Sequence, residues 1–414
     1  MEQAERNSAY RDFRISAYRK KYDIALVYGG KYVSFGALLS RVEYAYNTFC
    51  QMGLTPGSRV CLCLPNCPDL LASFYGLSRL GAIGVLIHPE DTPREMRRQM
   101  EAAESKLLIT TEGRYEAYCK EYAPLPPGQV VLCRPERDMK RRERRVYRAM
   151  EKKAADAEGF FLEEMMAENR YNALDTPFGD GAQDAVAIGG TSSFLAPEFI
   201  TYLPEELAVV SQAFWHRKEN VRTVYIENSF ASEGGFLAAH GALSCGKTVL
   251  WSIGEPYEFL KKEMPDFLVA TEEFFWEFRQ KTAFFCEDWK SLQGGYQVGK
   301  PLTPLMEKFA GRAFSKVGGR GALATAPVML KMQKAGLFPV KDYGVRLADM
   351  ERVILGLSGI EKCRCLADDA GIRLQILPDR KKPATAWGRR LAAYCRKEMN
   401  PAHLPRKVEF CSSL

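Results

Sequence analysis

The chain has 414 residues, 46% of them apolar and 26% charged, and a formal charge of +7. That length fits two or three domains, and that balance excludes collagen-like and disordered proteins; twelve cysteines are too few for a disulfide scaffold. No run reaches the roughly 18 apolar residues that a membrane-spanning helix needs, and the polar start MEQAERNSAYRDF has no secretory character, so the expected compartment is the cytoplasm.

In chain order, residues 34–52 place Leu38, Leu39, Val42, Ala45, Tyr46 and Phe49 at helical spacing, with Ser34 as the cap and Gly53 as the stop. Arg59–Leu64 is a short strand closed by Pro65-Asn66. Residues 68–80 form a helix with Pro68 in its first turn, followed by the strand Ile83–Ile87, a charged helix over 92–103 and the strand Leu107–Thr110. Strands alternating with helices at this spacing predict a parallel sheet covered by helices. The pattern returns with strands at Ala185–Ile188, Val221–Ile226, Thr248–Trp251 and Phe267–Ala270, a helix over Phe236–Leu243, another over 324–335, and a strand Leu337–Val340 that leads to Tyr343-Gly344. Residues 348–414 change texture: a short helix, two strand-like runs, a helix over 386–399 and a final VEFC strand make a small α+β unit.

The expected architecture is therefore α/β: two αβα-type subdomains with parallel sheets and a small C-terminal lid. The expected divisions are residues 1–175, 176–347 and 348–414. Cys61-Leu62-Cys63 and Cys363-Arg364-Cys365 have one intervening residue where structural zinc sites use two to four. On a strand that spacing puts both sulfurs on one face, so these are expected to be reduced core thiols and no metal ligand is assigned. Residues 134–153 hold ten Lys and Arg against four Asp and Glu. The run reads either as a solvated arginine-rich helix or as a surface for phosphates or an anionic membrane. Its one aromatic, Tyr147, gives no stacking platform for single-stranded nucleic acid.

Four stretches, in order, resemble the adenylate-forming superfamily of acyl-CoA synthetases, luciferases and peptide-synthetase adenylation domains. YVSFGALLSRVEYAYNTFCQMGLTPGSRVCLCLPNCPDLLASFYGLSRLGAIGVLIHPEDTPREM is similar to its opening sheet-and-helix region, and ENSFASEGGFLAAHGALSCGKTVLW to its acyl-pocket segment. FAGRAFSKVGGRGALATAPVMLKMQKAGLFPVKDYG resembles its Gly-Gly and Tyr-Gly region, nearest the long-chain fatty acyl branch, and VRLADMERVILGLSGIEKCRC resembles its mobile lid. The resemblance implies activation of a carboxylate with Mg-ATP and transfer of the acyl group to the thiol of CoA. It implies remnant nucleotide-binding residues at Thr191, Ser192, Ser193, Gly318, Gly319, Tyr343 and Gly344, with Tyr343 stacking on adenine. It implies an acyl pocket at Phe230, Gly235 and His240.

That chemistry needs a small-residue loop with a lysine to cradle phosphates, a glutamate to hold Mg²⁺, and a mobile lysine for developing charge. The chain departs from the family pattern at each. In Gly190-Thr191-Ser192-Ser193-Phe194-Leu195-Ala196-Pro197-Glu198-Phe199, Leu195 and Phe199 replace glycines and Glu198 replaces the lysine, so an attractive charge becomes a repulsive one. Tyr343-Gly344-Val345-Arg346-Leu347 lacks the metal-holding glutamate. PAHLPRKVEF is followed by Cys411-Ser412-Ser413-Leu414 where the family carries its lysine, and the stretch that supplies the family's β-barrel subdomain is missing before Asp349.

The expectation is a catalytically degenerate relative, a pseudoenzyme of fatty acid metabolism, which keeps a nucleotide, acyl or CoA pocket or docks on a protein partner that supplies activity. Two alternatives stand beside it. One is an active ATP-dependent carboxylate–CoA ligase in which Arg346, Lys316 or Arg320 supplies the positive charge; the other is a protein that binds through the basic surface of 134–153, including peripheral membrane contact. No catalytic residue is assigned. None of His88, His216, His240 and His403 sits beside a plausible nucleophile. His240 reads as a satisfied helical histidine or as an acyl-pocket residue, and Phe274-Phe275-Trp276 with Phe278 as core or as an acyl-tunnel wall.

Overall fold

The computed structural model describes the chain except residues 1–7, 152–158, 171–185, 190, 193–196, 198, 216–217, 281–290, 299–322, 326–337, 341–342, 369–370, 380–383, 399–402 and 412–414. Two seven-stranded sheets dominate it. The first contains β3 (Arg59–Cys63), β4 (Ile83–Ile87), β5 (Leu107–Thr111), β6 (Val130–Cys133), β7 (Phe160–Phe161), β8 (Val186–Gly189) and β10 (Phe199–Tyr202), in the order β10-β8-β4-β3-β5-β6-β7. Its neighbours are parallel except β8 and β10. The second contains β1 (Ile24–Tyr28), β2 (Lys31–Ser34), β11 (Thr223–Ile226), β12 (Thr248–Trp251), β13 (Phe267–Thr271), β14 (Gly294–Val298) and β15 (Leu323–Thr325), in the order β15-β14-β13-β11-β12-β1-β2. It is parallel except for the β1–β2 hairpin. Strands from the first segment of the chain thus lie in the second sheet, and β8 and β10 lie in the first, so the division at 175 and 176 does not separate the two sheets.

Strand alternation builds the layers. Leu26, Val224 and Val249 of the second sheet and Val60, Leu62 and Leu86 of the first point into one shared core. Between the sheets lie α1 (Ala9–Arg19), α2 (Phe35–Gln51), α3 (Pro68–Leu80), α8 (Pro204–Trp215) and α9 (Glu233–Ser244), which add Phe13, Leu38, Phe74, Leu207 and Phe236 to that core. The alternate residues face outward. Cys61, Cys63, Val85 and Leu108 pack against α4 (Pro93–Ala102) and α5 (Glu112–Glu121). Val27, Tyr225 and Leu268 pack against α10 (Pro256–Glu263) and α11 (Glu272–Gln280). Cys61 and Cys63 are both buried, without a disulfide, on one face of β3, as the one-residue spacing predicts. Phe274 and Phe275 belong to the outer cluster, where Phe274 stacks on Tyr225 at 5.7 Å.

The helix signals are local ones. Ser34 Oγ accepts from the Ala37 amide to cap α2, Pro68 opens α3, and Gly81 closes it at φ 77°. Thr92 and Glu95 form a reciprocal capping box on α4. Where a helix is expected over 324–335, residues 324 and 325 belong instead to β15, paired with β14, and 326–335 lie outside the described residues. Pairing with β14 overrides the local helical preference of an alanine-rich run.

Two shorter stretches of the sequence fold as helices across the rim of the first sheet: α6 (Arg141–Met150) within the basic run, and α7 (Leu162–Glu168). A three-stranded sheet, β16 (Phe338–Val340), β17 (Tyr343–Val345) and β9 (Thr191–Ser192), precedes the C-terminal unit. That unit comprises α12 (Leu347–Leu355), β18 (Ile360–Asp368), β19 (Gly371–Pro378), α13 (Ala384–Glu398) and β20 (Lys407–Phe410), with its own core around Met350, Ile354, Leu374 and Leu391. His403 of this unit is buried with its Nδ1 3.7 Å from Glu95 Oε1 on α4.

Candidate functional site

In an open parallel sheet, ligands bind beyond the carboxyl ends of the strands where the strand order reverses. The second sheet reverses between β11 and β13, the first between β3 and β5. The residues that follow these strands are polar. Beyond β11 come Glu227 and Asn228; Thr271 ends β13, and Gln297 lies next to the end of β14, fully buried. Beyond β3 comes Asn66, whose side chain spans the two sheets: its Nδ2 donates to Asn228 O at 3.0 Å and its Oδ1 accepts from the Phe230 amide at 2.7 Å. One asparagine therefore holds the two reversal points face to face. Nearby, Tyr202 on β10 donates its hydroxyl to the buried Glu233 carboxylate at the start of α9. Asn66, Asn228 and Gln297 were not singled out by the sequence reading; the signal present was a polar residue at or just past the end of an apolar strand. Replacing Asn66 by Ala leaves two backbone groups to find new partners and is expected to cost about 1–3 kcal/mol in urea unfolding.

The loop of residues 190–198 leaves β8 on this same edge and returns as β10. Residue Phe199, which stands where the family pattern ends in glycine, is the first residue of β10 and pairs with Gly189. β9 pairs in parallel with β17, placing Thr191 opposite Gly344 and Ser192 opposite Val345. Thr191, Ser192, Tyr343 and Gly344, far apart in sequence, thus share one small sheet. Ser193, Gly318 and Gly319 lie outside the described residues, as do Glu198, Lys316 and Arg320.

Phe230, Gly235 and His240 gather where α9 packs on α3. The Phe230 ring lies edge-on to Phe74 at 5.5 Å, to Phe236 at 5.0 Å and to Trp251 at 6.4 Å. At Gly235 an added Cβ would stand 2.0 Å from Ser229 O, so glycine is required for the chain to pass. His240 is wholly buried, stacked on Phe236, with Nδ1 3.0 Å from the Tyr75 hydroxyl, while its Nε2 has no hydrogen-bond partner. Burial alone pushes its pKa down to about 3. Unfolded chain takes up a proton on this residue below about pH 6.5 and folded chain does not until about 3. Stability due to neutral His240 is therefore whole above 6.5 and falls by about 1.4 kcal/mol per pH unit below it. The variant His240→Gln is expected to flatten that acid limb, so that its stability deficit in urea unfolding at pH 7 shrinks by pH 4.5.

A separate crevice of about 950 Å³, lined by Lys20, Asp23, Glu219, Arg222 and Lys247, opens at the amino ends of β1, β11 and β12, the opposite edge from the site above. Lys247 Nζ there donates to the carbonyls of Lys218 and Val221.

This arrangement of two facing sheets and a C-terminal α+β unit is the fold of the adenylate-forming enzymes. It superposes on o-succinylbenzoate CoA synthetase of Bacillus subtilis bound with a product analogue (TM-score 0.69, 13% identity, 97% of this chain and 94% of that one). It also superposes on an amide bond synthetase of Marinactinospora thermotolerans (TM-score 0.71, 15% identity, 98% and 96%). By sequence, residues 13–174 match the AMP-binding enzyme family. Among curated proteins, 4-coumarate–CoA ligase 1 of Arabidopsis thaliana is 38% identical over 87 residues, 20% of this chain and 15% of the ligase. Crotonobetaine/carnitine–CoA ligase of Salmonella paratyphi B is 29% identical over 109 residues, 23% of this chain and 21% of that one. The chain thus matches about a sixth to a fifth of the length of these relatives. Residues 13–174 are thus similar to the AMP-binding enzyme family, and shorter stretches to CoA ligases.

Proposed function

We propose that the chain is a catalytically degenerate acyl–CoA-ligase-like protein that holds a CoA, acyl or adenylate ligand at the carboxyl edges of its two sheets without activating a carboxylate. The observation that carries this is Phe199. A phosphate cradle needs glycine backbone that can approach oxygen atoms closely, and here that position begins a hydrogen-bonded strand with an aromatic side chain. Glu198, the preceding residue in the sequence, carries a negative charge where the family pattern has a lysine. β17 and the residues after it, Tyr343-Gly344-Val345-Arg346-Leu347, offer no carboxylate for a magnesium ion between phosphates. These residues do not fit Mg-ATP.

What remains suits a ligand that places no metal-bridged triphosphate at the turn before Phe199. Asn66, Asn228 and Gln297 supply neutral hydrogen-bonding groups at the sheet reversal, and Phe230 and His240 supply an apolar wall for an acyl chain. Thermal unfolding with each candidate ligand tests the reading, because a ligand that binds the native state raises the midpoint. CoA, acyl-CoA or AMP is expected to raise it by several degrees at saturation and Mg-ATP is not. An equal rise with Mg-ATP overturns the degenerate reading.

One observation favours an active ligase instead. Val345 pairs with Ser192, so Arg346 follows directly on the strand that lies beside the phosphate-loop segment. If Arg346 replaces the missing lysine, carboxylate-dependent turnover is present and Arg346→Ala abolishes it.

A further inference from the structure

We propose that α6 is a docking surface for anionic lipid bilayers, independent of whatever occupies the ligand crevice. The helix is held in one orientation. Tyr147 is buried in the central core, and Arg144 donates from Nε to Glu136 O and from Nη2 to Met139 O. The Lys140 amide donates to Gly29 O at 2.7 Å. Gly29 and Gly30 turn the β1–β2 hairpin at φ +53° and +75°, and a Cβ on Gly29 would stand 2.5 Å from Met139 Cγ, so the hairpin fits tightly under the start of the helix.

With Tyr147 fixed inward, the helical repeat of about 100° per residue sends Arg141, Arg145 and Arg148 outward in one row with Arg142 beside them. All four are exposed. Arg148 reaches Glu136 at 3.5 Å, and Arg141, Arg142 and Arg145 have no ion pair with the described residues.

Arg141 and Arg142 share the first turn with one acid, Glu143, and Lys140 at the cap position makes no side-chain cap bond. Of the four outward arginines, only Arg148 has an ion pair with the described residues. An extended anionic surface matches Arg141, Arg142 and Arg145 together. A convex helix whose only aromatic is buried offers nucleic acid neither groove nor stacking surface.

The test uses the full chain and vesicles of phosphatidylcholine with or without about 30% phosphatidylglycerol, separated by flotation. Wild type is expected to float with the anionic vesicles at 50 mM salt, to lose at least tenfold in partitioning at 500 mM, and to ignore pure phosphatidylcholine. Each basic residue near such a surface multiplies partitioning about fivefold, so replacing Arg141, Arg142, Arg145 and Arg148 together by Gln is expected to lower it at least about a hundredfold. The four side chains are exposed, so the thermal midpoint of the variant should match wild type; a lowered midpoint calls for single Arg141→Gln and Arg145→Gln variants, each expected to lose about fivefold. Equal binding to neutral vesicles, retained binding by the arginine variants, or displacement by millimolar inorganic phosphate overturns the proposal. So does duplex DNA that outcompetes anionic vesicles, which would make the helix a nucleic-acid surface.

Discussion

Exchange of labelled pyrophosphate into ATP, measured over a panel of aromatic, short-chain and long-chain carboxylic acids, is expected to stay at the rate without protein. The reaction needs positive charge and close backbone amides where the phosphates sit, already in place when charge develops. On the degenerate reading proposed above, Glu198 and Phe199 replace the charge and the glycine that would supply these, and the Tyr343–Leu347 stretch has no carboxylate for the metal. Losing one such device costs on the order of 10²–10³ in rate, and two independent losses compound. Restoring only the charge by Glu198→Lys is expected to leave exchange at background, because Phe199 still occupies the strand position paired with Gly189. Exchange well above background with the wild-type chain would show that the loop is rebuilt rather than lost.

Gly241→Val is expected to be strongly destabilising in the layer between the sheets. At Gly241 a Cβ would stand 2.3 Å from Ser211 O and 3.0 Å from the Trp215 ring, so α8 and α9 touch along a line that admits no side chain. Trp215 adds a hydrogen bond from its indole nitrogen to Ala238 O at 3.0 Å across the same contact. Relieving the overlap requires the helices to part, which withdraws Phe214, Trp215 and Leu237 from contact in a core that is otherwise close-packed. Overpacking of this kind costs about 1–3 kcal/mol and more where backbone is the obstacle. Urea unfolding should show a loss of about 3 kcal/mol or more for Val and a smaller loss for Ala. A loss below about 1 kcal/mol for Val would mean that the two helices slide apart freely.

Apolar periodicity made the alternation of strands and helices legible from Ser34 to Thr110, because caps such as Ser34 and Pro68 and stops such as Gly81 act within a few residues. The strand β1 was harder to read: Ile24–Tyr28 is a five-residue apolar run next to a hairpin, and its partner β12 lies more than two hundred residues away. The helix α8 was missed because its apolar residues, all but Leu207, Phe214 and Trp215, are scattered and half-buried or exposed. At the site, the resemblance drew attention to Thr191, Ser192, Tyr343 and Gly344, and strand pairing brings their backbones together. Asn66 was marked locally only as a polar residue closing a strand. Its importance comes from two bonds to residues more than 160 positions further on.

By itself, the sequence determined the α/β class, the sense of each sheet face and the departures of the phosphate loop, because propensity, capping and side-chain charge are properties of neighbouring residues. Only the tertiary structure decided that strands cross between the two halves of the chain, that Asn66 joins the two sheet edges, and that α6 turns four arginines outward around a buried Tyr147. Those depend on contacts between distant segments, whose free energy is collected only when the whole core closes.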